Sequence, residues 1–239
     1  MRRLLALAEQ VWGPPAGAMV SPDFLMALAH TEGYVALAEL PTQSGQNESA
    51  VVVGGSFGFL AHHAGTLGLH SHITGVLPSH QHLGIGLLLK QHQRSWALSH
   101  NLSLITWTFD PLVRRNGWFN LHRLGATAEE YHINFYGPLG DAINGDDDTD
   151  RLLARWELQS TRTKDALQGT LTPLVPRSKD LLVPTPADIV ALRQEDPSAA
   201  RAWRLQLRQT FNEKMTTHRV IGMTTEGAYV LHQRDSEDQ

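Results

Sequence analysis

The chain has 239 residues, no cysteine and a formal net charge of −4. The lack of cysteine excludes disulfides, zinc–thiolate sites and thiol nucleophiles. The slightly acidic balance, with no clustered basic stripe, argues against a nucleic-acid partner. The apolar run near the start is interrupted at Glu9, so neither a signal sequence nor a membrane span is expected. These features predict a cytoplasmic protein that acts on neither membranes nor nucleic acids.

The first part of the chain predicts two helices followed by three strands. Apolar residues at helical spacing indicate a helix over 2–11. Ser21 followed by Pro22 is typical of a helix start and predicts a second helix over 23–30. Strands are predicted over 34–40, 50–60 and 67–77. In the last of these, His70 and His72 are two residues apart, so their side chains should share one face.

The stretch 75–86 is a short polar loop between the third strand and a predicted helix, and it contains Gly84 and Gly86. Glycines let a backbone turn sharply and come close to a bound group. The helix that follows offers unpaired N–H groups and the positive end of its dipole. The loop therefore predicts a cradle for a phosphate or pyrophosphate.

Beyond this loop the pattern alternates helices and strands. It predicts a helix over 84–100 with an apolar side formed by Ile85, Leu88, Leu89, His92 and Trp96. A strand over 102–109, a helical piece over 112–124 and strands over 129–136 and 151–158 follow. The acidic stretch 141–150 is interpreted as a solvated loop, although its carboxylates would also suit a cationic substrate. After residue 160, a proline-rich connector over 170–186 leads to a helix over 197–215 and a hairpin over 219–231.

The loop and its surroundings resemble the Gcn5-related N-acetyltransferase (GNAT) superfamily over residues 10–158. That superfamily has Arg/Gln-x-x-Gly-x-Gly/Ala at the start of a long helix, and residues 81–86 match every specified position. An uncharacterised branch with a TWTFDPL…RN…FNL…LGA pattern matches 106–126 more narrowly. The resemblance implies an α/β (α+β) fold. Its mixed, mostly antiparallel sheet would be flanked by helices and splayed at the superfamily's fourth and fifth strands.

The resemblance also implies that the phosphates belong to an acyl-coenzyme A, acetyl-CoA among them, used as a cosubstrate. Backbone groups of Val76 and Leu77 would bind its pantetheine arm, and Asn116 would contact it from the other side. The pyrophosphate would lie against the loop, whose residues are Gln81, His82, Leu83, Gly84, Ile85 and Gly86. N–H groups near Val76 would stabilise the developing oxyanion.

One departure from the superfamily concerns the acid that protonates the leaving thiolate. A tyrosine usually stands four residues before the closing glycine, and here Leu121 occupies that place. His122 and Tyr136 are the alternatives, together with solvent. For the general base, His70 and His72 are the candidates because the ordinary pKa of histidine suits proton removal near neutrality. The alternative is that they are only hydrogen-bonded under helices.

Three further residues are candidates for the acceptor site. Asp110 could orient an amine or cap the following helix. Trp107 is interpreted as core or pocket wall. Asn120 could line the site or be an exposed helix residue.

A second departure is that no strand is predicted before the first helix. The first strand is then absent or lies upstream of the given start. The C-terminal hairpin or a partner subunit could also fill that edge, which leaves a homodimer open. We expect a GNAT-type core over 1–158 and a C-terminal extension over 159–239.

Together these features predict an acyl-CoA-dependent N-acyltransferase acting on a small-molecule amine or metabolite by direct attack on the thioester. The alternative is a non-catalytic coenzyme A or metabolite binder on the same fold. The 13 histidines raise the question of a metalloenzyme, but no helical i,i+4 pair with a carboxylate appears, so no metal is expected.

Overall fold

The computed structural model describes residues 2–13, 21–41, 50–137, 139 and 147–234. The chain forms two compact units, Met1–Ile105 and Thr106–Gln239. The predicted domain boundary at 158/159 falls inside the second unit. Helices and strands are interspersed along the described chain, and every strand pair whose register is described is antiparallel. The predicted fold class, mixed α/β with a mostly antiparallel sheet flanked by helices, is confirmed.

Within its described residues, the first unit has three α-helices and three strands that follow the order β1-β2-β3. The helices are α1 (Arg2–Trp12), α2 (Pro22–His30) and α3 (Ile85–Ser99), and the strands are β1 (Tyr34–Leu40), β2 (Val51–His63) and β3 (Thr66–Val76). The Ser21 side chain caps α2 by accepting from the Phe24 N–H, as its position before Pro22 predicts.

Helices α1 and α3 pack on opposite faces of β2. The consecutive residues Gly54 and Gly55 point to opposite faces because strand side chains alternate. A Cβ on Gly55 would lie 2.5 Å from Leu4 Cδ1 of α1, and one on Gly54 would lie 3.1 Å from Ile85 Cγ2 of α3. The glycines in this strand therefore mark close approach by two helices. This is the kind of contact that glycines within a strand indicate.

The described part of the second unit contains four α-helices, and its strands follow the order β4-β6-β5-β8-β9-β7. The helices are α4 (Arg114–Trp118), α5 (Thr161–Gln168), α6 (Ile189–Glu195) and α7 (Pro197–Lys214). The strands are β4 (Leu104–Phe109), which begins in the first unit, β5 (Thr127–His132), β6 (Arg151–Glu157), β7 (Leu181–Pro184), β8 (His218–Met223) and β9 (Ala228–Gln233).

The predicted C-terminal hairpin is present as β8 and β9. Strand β8 pairs with β5, and β9 pairs with β7, so both outer edges of the hairpin are occupied. It has no free edge with which to replace a missing first strand. That alternative is wrong.

Three parts of the second unit differ from the sequence expectations. The region after residue 160 contains α5, β7 and α6, which were not predicted. The predicted helix over 112–124 is the short α4 followed by a π-helical turn, Phe119–Arg123, in which the Leu124 N–H donates to the Phe119 carbonyl. Strand β5 ends at His132, because the next residues turn back towards Thr149 and Asp150. No helix of the described residues is long and apolar enough to cross a membrane.

Candidate functional site

The glycine loop forms a tight turn that opens directly into α3. Residues Pro78–Leu83 make a short 3₁₀ helix, and Gly84 follows with φ +75°, the left-handed conformation that glycine adopts without strain. The N–H groups of Leu87 and Leu88 both donate to the Gly84 carbonyl. The N–H groups of Ile85 and Gly86 precede these first helical bonds and are the ones a helix leaves for a ligand.

Space for a ligand exists beside both glycines. A Cβ on Gly84 or on Gly86 would meet no atom of the described chain within 4 Å. Gln81, His82 and Leu83 are exposed beside them. An anion can therefore reach the start of α3 without displacing a side chain.

The residues just before the loop already use some of their backbone groups. The Leu77 N–H donates to the Val53 carbonyl at 2.9 Å, and the Leu77 carbonyl accepts from the His80 N–H at 2.8 Å. The Gln81 side chain donates to the Val76 carbonyl at 3.3 Å. A role for Val76 and Leu77 in binding pantetheine stays a prediction, and Leu77 would enter it with both groups engaged.

His70 and His72 lie together on β3, with ring centroids 6.3 Å apart. Phe59 contacts both rings, at 5.3 Å from His70 and 5.8 Å from His72. Burial, helped by the charges of His72 and Lys90, lowers the pKa of His70 to about 4. His70 is therefore neutral at physiological pH and can accept a proton, although its low pKa makes it a weak base.

A buried polar cluster on the other side of β3 was missed by the sequence analysis. Lys90 of α3 is only 4% exposed and donates to Ser71 Oγ at 2.8 Å and to Gln93 Oε1 at 3.2 Å. Burial lowers the pKa of Lys90 to about 7. The available signal was the helical spacing of Lys90 and Gln93 with Ile85, Leu89 and Ala97, which together form the buried side of α3.

Asp110 lies in a buried charge cluster of the second unit. Arg204 donates to both of its carboxylate oxygens at 3.0 Å, and Arg193 donates to Oδ2 at 2.6 Å. The Leu112 N–H also donates to Oδ1, which closes a turn before α4. Burial would raise the pKa of Asp110, but Arg204 and Arg193 outweigh it and hold the pKa well below its usual value. Its carboxylate is thus already engaged by two guanidinium groups.

The same cluster corrects the interpretation of the acidic stretch as a solvated loop. In the described part of it, Asp147 binds Arg193 and Arg204, while Asp148 and Asp150 bind Arg208. Asp150 is fully buried. These carboxylates are neutralised by arginines of α6 and α7, so they do not favour a cationic substrate. Residues 141–146 lie outside the described residues.

The other candidates from β4 and α4 differ in exposure. Trp107 is buried and packs edge-on against Trp156, with centroids 6.0 Å apart. Asn116 is exposed on α4. Asn120, one turn later, is 5% exposed, so its interpretation as an exposed helix residue is wrong.

The candidates for the proton donor have different surroundings. Leu121, at the position of the superfamily's tyrosine, is fully buried. The ring of His122 contacts that of Trp118, with centroids 4.2 Å apart, and partial burial with the charges of Arg123 and Arg162 lowers the pKa of His122. That shift favours the neutral ring, which has no extra proton to donate.

The second candidate, Tyr136, follows strand β5. Its hydroxyl is hydrogen-bonded to Thr108 Oγ1 of β4 at 2.8 Å. The guanidinium of Arg151 lies 5.5 Å from the Tyr136 ring centroid, and the charge of Arg151 also lowers the pKa of Asp110. Arg151 therefore lies near both Tyr136 and Asp110.

Among the described residues, no group of three or more His, Asp or Glu side chains could hold a metal ion.

Comparisons with known proteins give structural likeness only. No protein-family model matches the sequence, and no curated protein matches it. The chain is similar to Naa20 of Chaetomium thermophilum in complex with a bisubstrate analogue, with 15% identity, a TM-score of 0.48, and coverage of 74% of this chain and 87% of that chain.

Two further solved structures are similar at the same level. The ribosomal-protein-S18-alanine N-acetyltransferase from Escherichia coli has 12% identity and a TM-score of 0.47, with 67% of this chain and 88% of that chain covered. A GNAT family acetyltransferase from Elizabethkingia anophelis with acetyl-CoA bound has 19% identity and a TM-score of 0.43, with 64% and 89% covered. At these identities and TM-scores, the likenesses do not assign an activity to this chain.

Proposed function

We propose that this chain is a GNAT-type N-acyltransferase that uses an acyl-coenzyme A, with acetyl transfer to a small amine or metabolite as the favoured reaction. The observation that carries the proposal is the start of α3. Gly84 turns in the left-handed conformation, the first N–H groups of a 15-residue helix follow, and open space lies beside Gly84 and Gly86. A helix start of this kind suits a pyrophosphate.

The residues of the loop fit that group. The N–H groups of Ile85 and Gly86 would bind the pyrophosphate, with Leu83 and Gly84 beside them. Val76 would contact the pantetheine arm in the manner of an added strand, and Asn116 would contact it from α4. The bound thioester supplies an activated acyl group.

The histidines of β3 would handle the acceptor's proton. His70, neutral because its pKa is about 4, can accept a proton or a hydrogen bond from an amine. His72, with its ring centroid 6.3 Å from that of His70, is the second candidate. Tyr136, whose hydroxyl already contacts Thr108, would donate the proton to the departing thiolate.

The alternative function is a coenzyme A or metabolite binder without catalysis. The observation that favours it is the fully buried Leu121 at the position where the superfamily carries its acid. A leucine there cannot donate a proton, so transfer by the standard route would need Tyr136 or solvent.

The binding step is tested by Gly86→Glu. The position has open space and lies in the first turn of α3, where an acidic side chain is favoured by the helix dipole. The variant should therefore fold, yet its charge would repel the pyrophosphate and weaken coenzyme A binding, measured by calorimetry, by about tenfold or more. Ser95→Glu adds the same charge on the exposed side of α3 and should bind like the parent. If the two variants bound coenzyme A with equal affinity, the start of α3 would not be the pyrophosphate site.

The catalytic step is tested by turnover of acetyl-CoA in a panel of small amines. An acyltransferase should acylate a member of the panel and lose that activity in His70→Ala or His72→Ala while it still binds coenzyme A. Binding without turnover for any amine would favour the non-catalytic alternative.

A further inference from the structure

The buried polar cluster of the first unit is a closed ring of hydrogen bonds. Lys90 Nζ donates to Ser71 Oγ and to Gln93 Oε1, and Gln93 Nε2 donates to Ser56 Oγ at 3.3 Å. Ser56 Oγ and Ser71 Oγ lie 2.8 Å and 3.4 Å from Thr74 Oγ1. Ser56, Ser71, Lys90 and Gln93 are all buried. The ring thus connects α3 to both β2 and β3 in the interior.

Residues of the ring lie on both sides of an irregularity in the pairing of β2 with β3. Phe57 pairs with Ile73, but the next residue, Gly58, pairs with Ser71, so the register shifts by one residue at His72. This shift is a β-bulge, which bends the strand and re-aims side chains. A Cβ on Gly58 would lie 2.6 Å from the His70 carbonyl oxygen, so the bulge needs glycine at this position.

The ring also reaches the backbone beside the bulge. Ser56 Oγ donates to the Ile73 carbonyl at 2.9 Å. Ser71 and Thr74, on the two sides of the bulge, are held by Lys90 and Ser56. The backbone on both sides of His72 is therefore attached through side chains to α3.

The histidines emerge on the opposite face of the strands. Ser56 and Phe57 are consecutive in β2, so their side chains point to opposite faces. The ring of His72 contacts that of Phe57 at 5.4 Å, and Phe57 packs with Leu4 and Leu25 of α1 and α2. The polar ring on the α3 side thus holds the backbone from which His72 and His70 project on the other side.

We propose that Lys90 is a positioning residue, which through the ring with Ser56, Ser71, Thr74 and Gln93 fixes the bulge and sets the orientation of His72 and His70 towards the acyl acceptor. The part that concerns the acceptor rests on the proposed function. A buried lysine costs folding free energy that an apolar residue of similar length would not. Its hydrogen bonds to Ser71 and Gln93 offset part of this cost.

The positioning is tested without reference to activity by NMR of the imidazole groups. Lys90→Met keeps the length of the side chain and removes its donors, and Ser56→Ala removes the bond to the Ile73 carbonyl. Both variants should shift the ring signals of His70 and His72. Lys90→Met should also raise the pKa of His70, because Lys90 is one of the cations, with His72 and His63, that lower it. Lys164→Met, on exposed Lys164 of α5, should leave these signals unchanged.

Turnover provides the second measurement. In Lys90→Met, kcat for the amine should fall about tenfold, as expected when reacting groups are misplaced by a fraction of an ångström, while affinity for coenzyme A stays within twofold of the parent. If both variants fold and their histidine signals and His70 titration superimpose on those of the parent, the proposal is overturned. Shifted histidine signals in a protein that acylates no amine would uphold the ring's effect on the histidines and contradict the proposed function alone.

Discussion

Each of the two units buries a cationic side chain, and the two are accommodated in different ways. Lys90 in the first unit donates to uncharged oxygens of Ser71 and Gln93. Arg204 in the second unit, 1% exposed, forms ion pairs with Asp110 and Asp147. Burial lowers the pKa of Lys90 to about 7, whereas for Arg204 burial is outweighed by the two carboxylates and the pKa rises.

The difference shows what each cluster can do. The arginine cluster stays charged at all ordinary pH values and attaches α6 and α7 to the segments after β4 and before β6. The lysine ring is close to balance between two protonation states near neutrality, because hydroxyl and amide oxygens compensate a buried charge only in part. The arginine cluster is therefore suited to stabilise the fold. The lysine ring is suited to fix a local geometry that responds to pH or substitution.

Arg204→Met is expected to have the largest effect on stability. It removes one of the two guanidinium groups that bind both Asp110 and Asp147, so that Arg193 remains and part of their negative charge is uncompensated. Breaking a buried ion pair in this way costs about 3–5 kcal/mol, measured as the free energy of unfolding in denaturant. Arg201→Met makes the same change at an exposed position of α7 and should cost less than about 0.5 kcal/mol. Equal costs would show that Asp110 and Asp147 do not depend on Arg204.

Lys90 is expected to make stability depend on pH in the neutral to alkaline range. Its pKa is about 7 in the folded chain against an ordinary 10.5, so between these values the unfolded chain binds more protons. The free energy of unfolding then rises with pH in that window and is lowest below pH 7. From pH 7 to pH 9 the rise attributable to Lys90 is about 2 kcal/mol.

The measurement is the difference between the parent and Lys90→Met in denaturant unfolding across that range, since other groups cancel in it. Lys164→Met should follow the parent. A parent and a Lys90→Met variant with parallel pH profiles would mean that Lys90 is not held in a low-dielectric site.

Local patterns were sufficient to predict much of the fold. The strand over 34–40 is β1, and the helix start at Ser21, the loop at Gly84 and the hairpin all agree with the structure. Each of these depends on a turn residue or on a period that acts over a few neighbours. The π-helical turn at Phe119–Arg123 and the short β7 depend on packing between distant segments, and neither has a local signature.

The buried charges were not predicted for a related reason. On α3, the apolar side was assigned to include Leu88, which is 61% exposed, while Lys90 and Gln93 are buried. On α7, the sequence analysis did not single out Arg204, although Arg204 shares the helical spacing of Ala200, Leu207 and Phe211. Polarity alone places such residues outside. Their partners, Ser71 and Asp110, are 19 and 94 residues away in sequence, so the compensation is visible only in the folded chain.

The smallest expected effect separates the lysine ring from a set of independent contacts. Ser71→Ala removes one of the acceptors of Lys90 and should cost about 1 kcal/mol of unfolding free energy in the parent. In the Lys90→Met background the donor is already absent, so the same substitution should cost close to nothing, and the coupling free energy of the double-mutant cycle should be about 1 kcal/mol. A cycle of denaturant unfolding curves at pH 6, where Lys90 is protonated because its pKa is about 7, measures this. Equal costs of Ser71→Ala in the two backgrounds would show that Ser71 and Lys90 act separately, and the ring would then hold the bulge through Ser56 alone.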